Sequence, residues 1–533
     1  MPKSIATIAL ERRVDALFAR YTRPGSPGAV VAIMREGEIE LCKGYGLASL
    51  ELDVPITSRT RFRIASVSKQ FTVTTALLLA AEGKLKLSDP PHKYVKELKP
   101  LKVTIDQMMR NSSGLPDFLE LLRLGGHGLD KPVRDVDLLA AAARNNHLNF
   151  APGSRFLYSN TNFLLLGHII ERVTKQKLGD VMEERIFKPL GMSDTMLAAD
   201  IATVIPNLAT GYLGDDSQGF RRSAHAYPQG GEGGLTSTVE DLLTWSRHFD
   251  EPVLGKTIPA QLAAIAPLTG GHENRYRRGV AVGNVRGLDT IGHGGLWPGF
   301  RTEFLRVPKA GLTVVVIANL ASINPWRLAN AIATLALEGD KRLKPALPAV
   351  TEAEVKPFAG TWFNAAEPAL FHLAWSNNEP TITQWGMPTA LARRDGGWWG
   401  AEAGSLEFAL KPGKGNVKVD LGAGRTPAFT KLGKRKAVPA GIVGTYRSAD
   451  SGATWIVRKS GEGYVATVSG PLIASSPPWK IEGIDADTVE VTSPPAWLTA
   501  TQLAHLDRDK AGKVAALVIS TGRIKNMRFE RVA

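Results

Sequence analysis

Apolar residues at the start of the chain recur first at helical spacing and then at strand spacing. Four of them fall on one face of a helix: Ile5, Ile8, Leu17 and Phe18. This spacing predicts an amphipathic helix over residues 5–21. Residues 28–34 form a β-branched apolar run, residues 39–45 alternate, and a turn sequence at residues 35–38 separates them. These two segments predict a β-hairpin.

Beyond the hairpin the pattern is mostly helical and returns to strands only later. Apolar spacing predicts helices over residues 71–81, 103–109, 163–173 and 239–249. Glu82 and Gly83 would end the first of these helices, and Thr238 would cap the last. Later runs predict strands over residues 278–286, 288–292, 302–307 and 312–318, then a helix over residues 327–338. We expect the first hairpin to join these strands, which gives an α/β sandwich with a helical side domain.

The composition changes after residue 340. Residues 343–348 have the Pro-rich pattern of a linker, and short strands separated by Gly-rich turns follow. Residues 358–363 and 442–447 share a Gly-Thr-aromatic centre, which indicates an internal repeat of two β modules. We therefore predict a first domain over residues 1–340 and two β domains over residues 341–437 and 438–533.

The overall composition is that of an ordinary globular protein. Of the 533 residues, 44% are hydrophobic and 22% are charged. The net charge of +14 is carried by scattered basic residues, so we do not expect nucleic-acid binding. The sequence contains no apolar run near the roughly 18 residues that span a bilayer and no visible secretory signal, so we expect a cytoplasmic protein without membrane contact. The single cysteine, Cys42, cannot form an internal disulfide, and we expect no metal or other cofactor.

Ser66 and Lys69 carry the predicted chemistry. They lie three residues apart at the start of a predicted helix, which places the hydroxyl and the amine on one face. A lysine whose pKa is lowered by burial or by nearby positive charge can take the serine proton and so make the serine a nucleophile. Serine and lysine are common, so this spacing alone also arises by chance.

Two later motifs supply further candidates. Tyr158 and Asn160 precede a predicted helix, where a tyrosine can relay protons and an amide can hold a substrate carbonyl or the lysine. His293 is followed by two glycines after a predicted strand, and such a backbone edge can approach a substrate closely. An N–H group of that edge could complete an oxyanion hole with the N–H of Ser66. The alternative is that Tyr158 is a half-buried surface tyrosine and His293 a turn residue.

A glycine-rich loop over residues 230–237 has a less specific pattern. It has no P-loop lysine and does not follow an apolar strand. We therefore do not predict phosphate binding there.

In this order, the motifs Ser-x-x-Lys, Tyr-x-Asn and His-x-Gly resemble the signature of the penicillin-recognising serine hydrolases, in particular the class C β-lactamase and DD-peptidase branch. The flanking sequences agree over residues 66–72, 111–117, 158–167 and 233–242. This resemblance covers roughly residues 10–335. It implies an α+β fold, a β-lactamase-like α/β sandwich with a helical lobe. His-x-Gly in place of Lys-Thr-Gly and the C-terminal repeat are similar to the D-aminopeptidases of that family, which implies two antiparallel β-barrels after the sandwich.

The resemblance also implies roles for the candidate residues. Ser66 would be the nucleophile, Lys69 its base and Tyr158 the proton relay, although the division between Lys69 and Tyr158 stays open. Asn160 would position the substrate and Lys69, and His293 would bond Tyr158 or the substrate. For the oxyanion hole, the resemblance implies the backbone N–H groups of Ser66 and of Leu296, which follows Gly295.

The implied reaction is acyl-enzyme hydrolysis of a small peptide, amide or ester. A D-stereospecific aminopeptidase or amidase is the first expectation. An esterase, a β-lactamase or DD-carboxypeptidase, and an inactive binding protein are the alternatives. A largely neutral His293 argues against the β-lactamase, because β-lactams carry a carboxylate that suits a permanent cation. We also expect a homodimer.

One loop of the second β module departs from the D-aminopeptidase pattern. The resemblance implies a loop with an aspartate that recognises the substrate amine, but residues 492–500 contain no carboxylate. We predict that this loop covers the Ser66 cleft with Trp497, which is large and apolar. The alternative is an ordinary hairpin tip.

Overall fold

The computed structural model describes residues 5–128, 130–228, 230–402, 408–422, 424–494 and 501–532. Its first part is built on a six-stranded antiparallel sheet. In spatial order the strands are Ala281–Val285, Leu288–Trp297, Phe300–Val307, Leu312–Ala318, Ala29–Arg35 and Glu38–Tyr45. The N-terminal hairpin thus joins the late strands, with Ala29 paired to Ala318. This confirms the sandwich expected from the pattern.

The central strands are buried on both faces and separate two apolar cores. Val30, Ala32 and Met34 face one core, which also contains residues of the helical lobe. Ala29, Val31 and Ile33 face the other, which is closed by the terminal helices Ile5–Phe18 and Pro325–Ala336. This alternation follows from the period of two in a β-strand.

The helical lobe lies between the first hairpin and the late strands in sequence. Its helices are Lys69–Ala81, Ile105–Met109, Phe118–Leu124, Asp135–Arg144, Asn160–Thr174, Leu178–Met182, Lys188–Leu190, Val239–Asp250 and Ile258–Leu262, with a π-helical turn at Glu183–Phe187. Thr238 caps Val239–Asp250 through the N–H of Asp241, as predicted. Short strands at Phe62–Arg63, Leu235–Ser237 and Met196–Leu197 form a small separate sheet, and two-stranded sheets pair Leu47–Ser49 with Val54–Pro55 and Tyr212–Asp215 with Gly219–Arg222.

Two closed antiparallel barrels follow, as the resemblance and the repeat predicted. The first consists of Gly360–Asn364, Ala369–Ser376, Glu379–Gln384, Met387–Arg394, Trp398–Ala401, Ala409–Pro412, Asn416–Asp420 and Ala428–Lys431, with a short helix Glu352–Val355 before it. The second consists of Gly444–Arg447, Thr454–Ser460, Gly463–Ser469, Trp479–Gly483, Thr488–Thr492, Thr501–Arg508, Val514–Ser520 and Met527–Arg531. The predicted domain limits at 340/341 and 437/438 fall between these elements and stay predictions.

The second barrel packs directly on the helical lobe. The indole N–H of Trp455, inside the barrel, donates to the carbonyl of Leu124 at 2.9 Å, and Leu121 and Leu124 belong to the barrel's own core. At a neighbouring point, a Cβ built on Gly470 would lie 2.8 Å from the backbone of Gly125. This barrel and the lobe therefore share one packed interface.

The strand Leu288–Trp297 is longer than predicted. The pattern predicted a strand over residues 288–292 with His293 directly after it, but pairing with the next strand continues from Ile291 to Trp297. The error arose because glycines disfavour strands, whereas here the neighbouring strand pairs with them. His293, Gly295 and Leu296 consequently lie on a strand.

In the described part of the chain, no helix is long and apolar enough to cross a membrane. The same residues contain no group of His, Cys, Asp and Glu side chains that could hold a metal ion.

Candidate active site

Ser66 lies in the 3-10 turn Ala65–Ser68, which leads directly into the helix Lys69–Ala81. The preceding residue, Ala65, is buried and has a φ of 49°. A left-handed conformation in a non-glycine residue costs about 1–3 kcal/mol and is characteristic of functional sites. The turn leaves the Ser66 side chain partly exposed, whereas Lys69 is completely buried.

The Lys69 ammonium has three acceptors for its three N–H groups. Nζ lies 2.9 Å from Ser66 Oγ and 2.9 Å from Asn160 Oδ1, and it also donates to the backbone carbonyl of Glu232. Burial lowers the pKa of Lys69 to about 7; the Arg523 charge adds to this effect, while the Glu232 and Asp117 carboxylates oppose it. A neutral Lys69 can keep its bonds to Asn160 and Glu232 and offer its lone pair to the Ser66 hydroxyl.

Asn160 is held by Asp117, so the two sequence motifs around them form one network. The backbone N–H and the side-chain Nδ2 of Asn160 donate to Asp117 Oδ2 at 2.8 and 2.9 Å. Asn111 Oδ1 accepts from the Ser159 N–H at 3.0 Å and from Asn162 Nδ2 at 2.9 Å. These bonds fix the Asn160 amide with its oxygen toward Lys69.

Tyr158 is buried beside the lysine. Lys69 Nζ lies 5.0 Å from the centroid of the Tyr158 ring. Burial raises the pKa of Tyr158 above its ordinary value, against the lowering effects of a hydrogen bond with Ser66 and of the Arg523 charge. The phenol therefore keeps its proton at neutral pH and can act as a donor.

His293 bonds to a residue that the sequence analysis did not single out. Its Nδ1–H donates to the Gly294 carbonyl at 2.6 Å, and its Nε2 accepts from the Tyr276 hydroxyl at 2.9 Å. The structure thus shows Tyr276, and not the expected Tyr158, as the partner of His293, while the expected contact of His293 with substrate stays a prediction. Burial, aided by the Lys69 charge, lowers the pKa of His293 to about 3, so the ring is neutral.

Gly295 lets the strand Leu288–Trp297 pack closely against the turn that carries Ser66. A Cβ built on Gly295 would lie 2.4 Å from the carbonyl oxygen of Ile64. The neighbouring strand pairs with Leu288–Gly292 only, so in the described residues no strand covers the same edge from His293 to Trp297. The predicted donor residue, Leu296, is 39% exposed. This open edge can receive an extended substrate.

The glycine-rich loop of residues 230–237 packs against the helix start that carries Lys69. Gly231 accepts from Thr72 Oγ1 at 2.6 Å, and Leu235 N donates to Ser68 Oγ at 3.1 Å. The Glu232 carboxylate is buried and bonds the Gly230 N–H at 3.1 Å, and burial raises its pKa. The sequence analysis missed Glu232 because it tested this loop only for phosphate binding.

The second barrel contributes Arg523, which the sequence analysis also missed. Its Nη1 lies 3.2 Å from Asp117 Oδ2, and its Cζ lies 4.9 Å from the centroid of the Tyr158 ring. Asp117 and Arg523 are 406 residues apart in sequence, and no local motif marks the arginine. Trp497, the barrel residue predicted at this site, lies outside the described residues.

A family model and several known proteins match this chain. The beta-lactamase family matches residues 14–338. A D-aminopeptidase of Gluconobacter oxydans is 30% identical over 318 residues, which is 58% of this chain and 58% of that relative. The chain thus aligns with less than two thirds of the relative's length.

Two solved structures resemble the fold. A D-amino acid amidase from Ochrobactrum anthropi SV3 is 25% identical, with a TM-score of 0.53, and covers 63% of this chain and 98% of its own. An octameric penicillin-binding protein homologue from Pyrococcus abyssi is 20% identical, with a TM-score of 0.53 over 98% of both chains. The second likeness bears on the fold alone, and it extends over both barrels.

Proposed function

Since the chain belongs to the beta-lactamase family, we propose that it is a serine hydrolase that acts through an acyl-enzyme on Ser66. The observation that carries this proposal is the 2.9 Å contact between Ser66 Oγ and the buried amine of Lys69. The lowered pKa of Lys69 supports it, because a large fraction of the amine is neutral at pH 7.

In the proposed acylation, Ser66 Oγ attacks the substrate carbonyl while its proton passes to Lys69. The bond to the leaving group breaks as that group takes a proton, directly from Lys69 or through the Tyr158 hydroxyl. The raised pKa of Tyr158 supports Lys69 as the first acceptor, since a phenolate is not available at neutral pH. The backbone N–H groups of Ser66 and Leu296 would stabilise the oxyanion, at about 3 kcal/mol per donor.

In the proposed deacylation, water attacks the Ser66 ester and gives a proton to the Lys69–Tyr158 pair. The Ser66 oxygen leaves with a proton from the same pair, which restores the starting state. Asn160 keeps Lys69 in place through both steps.

We assign D-aminoacyl peptides and amides as the substrate class. The support is the naming of relatives as a D-aminopeptidase and a D-amino acid amidase, the latter solved with D-phenylalanine. Esters are the second candidate. One observation favours them: the Arg523 guanidinium of the second barrel lies 4.9 Å from the centroid of the Tyr158 ring, and a cation there does not suit a free substrate ammonium.

A panel of D- and L-alanine amides, a D-alanyl dipeptide and nitrophenyl acetate tests both candidates. We expect turnover of the D-amide above the L-amide, and a mass increase on Ser66 with a slow ester. Ser66→Ala should lose the amide turnover and the mass increase, whereas Ser217→Ala, at an exposed hairpin, should keep both. An acyl adduct in Ser66→Ala would refute the mechanism, and ester turnover without amide turnover would favour the second candidate.

A cytoplasmic location and a homodimer remain predictions. Cell fractionation and light scattering on the full chain would test them.

A further inference from the structure

A continuous chain of polar contacts joins the second barrel to the nucleophile. It runs from Arg523 Nη1 to Asp117 Oδ2 at 3.2 Å, and from that oxygen to Asn160 Nδ2 at 2.9 Å. It continues from Asn160 Oδ1 to Lys69 Nζ and from there to Ser66 Oγ, each at 2.9 Å. Arg523 is contributed by the second barrel, and the other residues of this chain of contacts lie within the part matched by the beta-lactamase family.

Asp117 is the residue through which the barrel acts. The carboxylate is completely buried, its Oδ1 accepts from the Leu119 N–H at 2.9 Å, and its Oδ2 accepts from both Asn160 donors and from Arg523. A buried carboxylate without a cation is costly, and Arg523 is the partner that balances it.

The loop that carries Arg523 is fixed on both sides. Inside the barrel, the Thr521 hydroxyl accepts from the N–H groups of Arg523 and Ile524 at 3.2 and 3.0 Å. Toward the family domain, Asn149 Nδ2 donates to the Arg523 carbonyl at 3.1 Å and Asn149 Oδ1 accepts from Lys525 N at 2.8 Å. The guanidinium is therefore held at the site by backbone contacts that do not depend on its own side chain.

We propose that Arg523 is a positioning residue, which holds Asp117 and Asn160 so that Lys69 is set for proton transfer from Ser66. This inference rests on the proposed acyl-enzyme function. It makes the second barrel part of the working site, through a loop other than the predicted residues 492–500.

The arrangement also has an electrostatic consequence with a definite sign. Lys69 Nζ and Arg523 Cζ lie 5.0 and 4.9 Å from the same Tyr158 ring centroid, so they are separated by no more than the sum, about 10 Å. Over that distance, two cations at an effective dielectric constant of about 20 shift a pKa by roughly 1 unit. Arg523 lowers the pKa of Lys69 and Asp117 raises it.

The test is the pH dependence of kcat/KM for nitrophenyl acetate, measured on the full chain. Arg523→Gln should move the acidic limb up by about 1 pH unit and lower kcat/KM at pH 7 roughly tenfold. Asp117→Asn removes the negative charge and keeps one acceptor oxygen, so it should move the limb down. The double variant should return toward the wild-type limb, and Arg523→Lys should retain it. Arg528→Gln, on an exposed strand of the same barrel, is the matched control.

An acidic limb that stays in place in Arg523→Gln, with kcat/KM within twofold of wild type, overturns the proposal. A lower melting temperature with an unmoved limb also overturns it, because that result assigns Arg523 to stability alone. If Arg523→Gln does not fold, the double variant, which leaves no unpaired buried charge, is compared with Asp117→Asn. A limb at higher pH than in Asp117→Asn supports the proposal, and equal limbs overturn it. Ester turnover that survives in Ser66→Ala would instead refute the acyl-enzyme function. The two proposals are therefore tested on different variants.

Discussion

Gly295→Ala should separate the strand Leu288–Trp297 from the turn that carries Ser66. The new Cβ would lie 2.4 Å from the Ile64 carbonyl oxygen, and Cβ contacts below 3.0 Å are essentially never seen. Both contacting elements are backbone, so one of them must move by at least about 0.6 Å. Ile64 precedes Ser66 by two residues, and Leu296 follows Gly295 directly. The displacement therefore widens the proposed oxyanion hole.

The expected effect is larger on catalysis than on folding. Misplacement by about 1 Å can cost about 100-fold in rate, so a smaller shift should lower kcat by roughly 10- to 100-fold, which is about 1.4–2.7 kcal/mol of transition-state stabilisation. Overpacking should reduce the free energy of unfolding by about 1–3 kcal/mol. Steady-state kinetics with nitrophenyl acetate measure the first quantity, and urea unfolding followed by circular dichroism measures the second.

Gly433→Ala is the matched control, because a Cβ there meets no atom within 4 Å. It should leave kcat and stability near the wild-type values. If Gly295→Ala were as active as this control, the edge after His293 would not contact the reacting carbonyl, and the oxyanion role of Leu296 would have to be abandoned.

Four further substitutions test the surrounding side chains. Lys69→Ala and Tyr158→Phe should each reduce kcat severely, and the double variant should lose far less than the product of the two losses, since both groups serve one proton transfer; multiplicative losses in kcat would contradict a shared relay. Glu232→Gln removes a carboxylate that raises the pKa of Lys69, so the acidic limb of kcat/KM should move to lower pH; an upward shift would refute that electrostatic assignment. Tyr276→Phe leaves the buried Nε2 of His293 without its donor and should lower the free energy of unfolding by about 1–3 kcal/mol; unchanged urea unfolding would show that the hydrogen bond contributes nothing net.

The sheet and the barrels were predictable because their patterns are local or repeated. The hairpin of residues 29–45 and the late strands each have a local strand pattern. We expected them to form one sheet because neither set would otherwise be covered. The three-residue spacing of Ser66 and Lys69 likewise predicted that the hydroxyl and the amine lie close together. The structure refines it, because Ser66 sits in a 3-10 turn and the α-helix begins at Lys69.

The residues that sequence reasoning missed act through contacts that no local spacing encodes. Tyr276 bonds His293 across 17 residues, and Glu232 reaches Lys69 through a backbone carbonyl that any residue type would supply. The strand through Gly295 was cut short because glycine propensity was weighed without the neighbouring strand that pairs with it. In each case tertiary contact, rather than residue type, decides the outcome.

The pKa of Lys69 therefore depends on the assembled protein and not on the motif alone. Burial lowers its pKa, a carboxylate from the glycine-rich loop and Asp117 raise it, and a guanidinium from the last barrel lowers it again. A family domain without the barrel would keep Ser66, Lys69 and Asn160 at the same spacing in sequence. It would lack the Arg523 charge, so we expect a higher pKa of Lys69 and a smaller neutral fraction of its amine at pH 7. On this reasoning, the Ser-x-x-Lys spacing predicts the chemistry, and residues distant in sequence shift the pKa of the lysine on which the proposed chemistry depends.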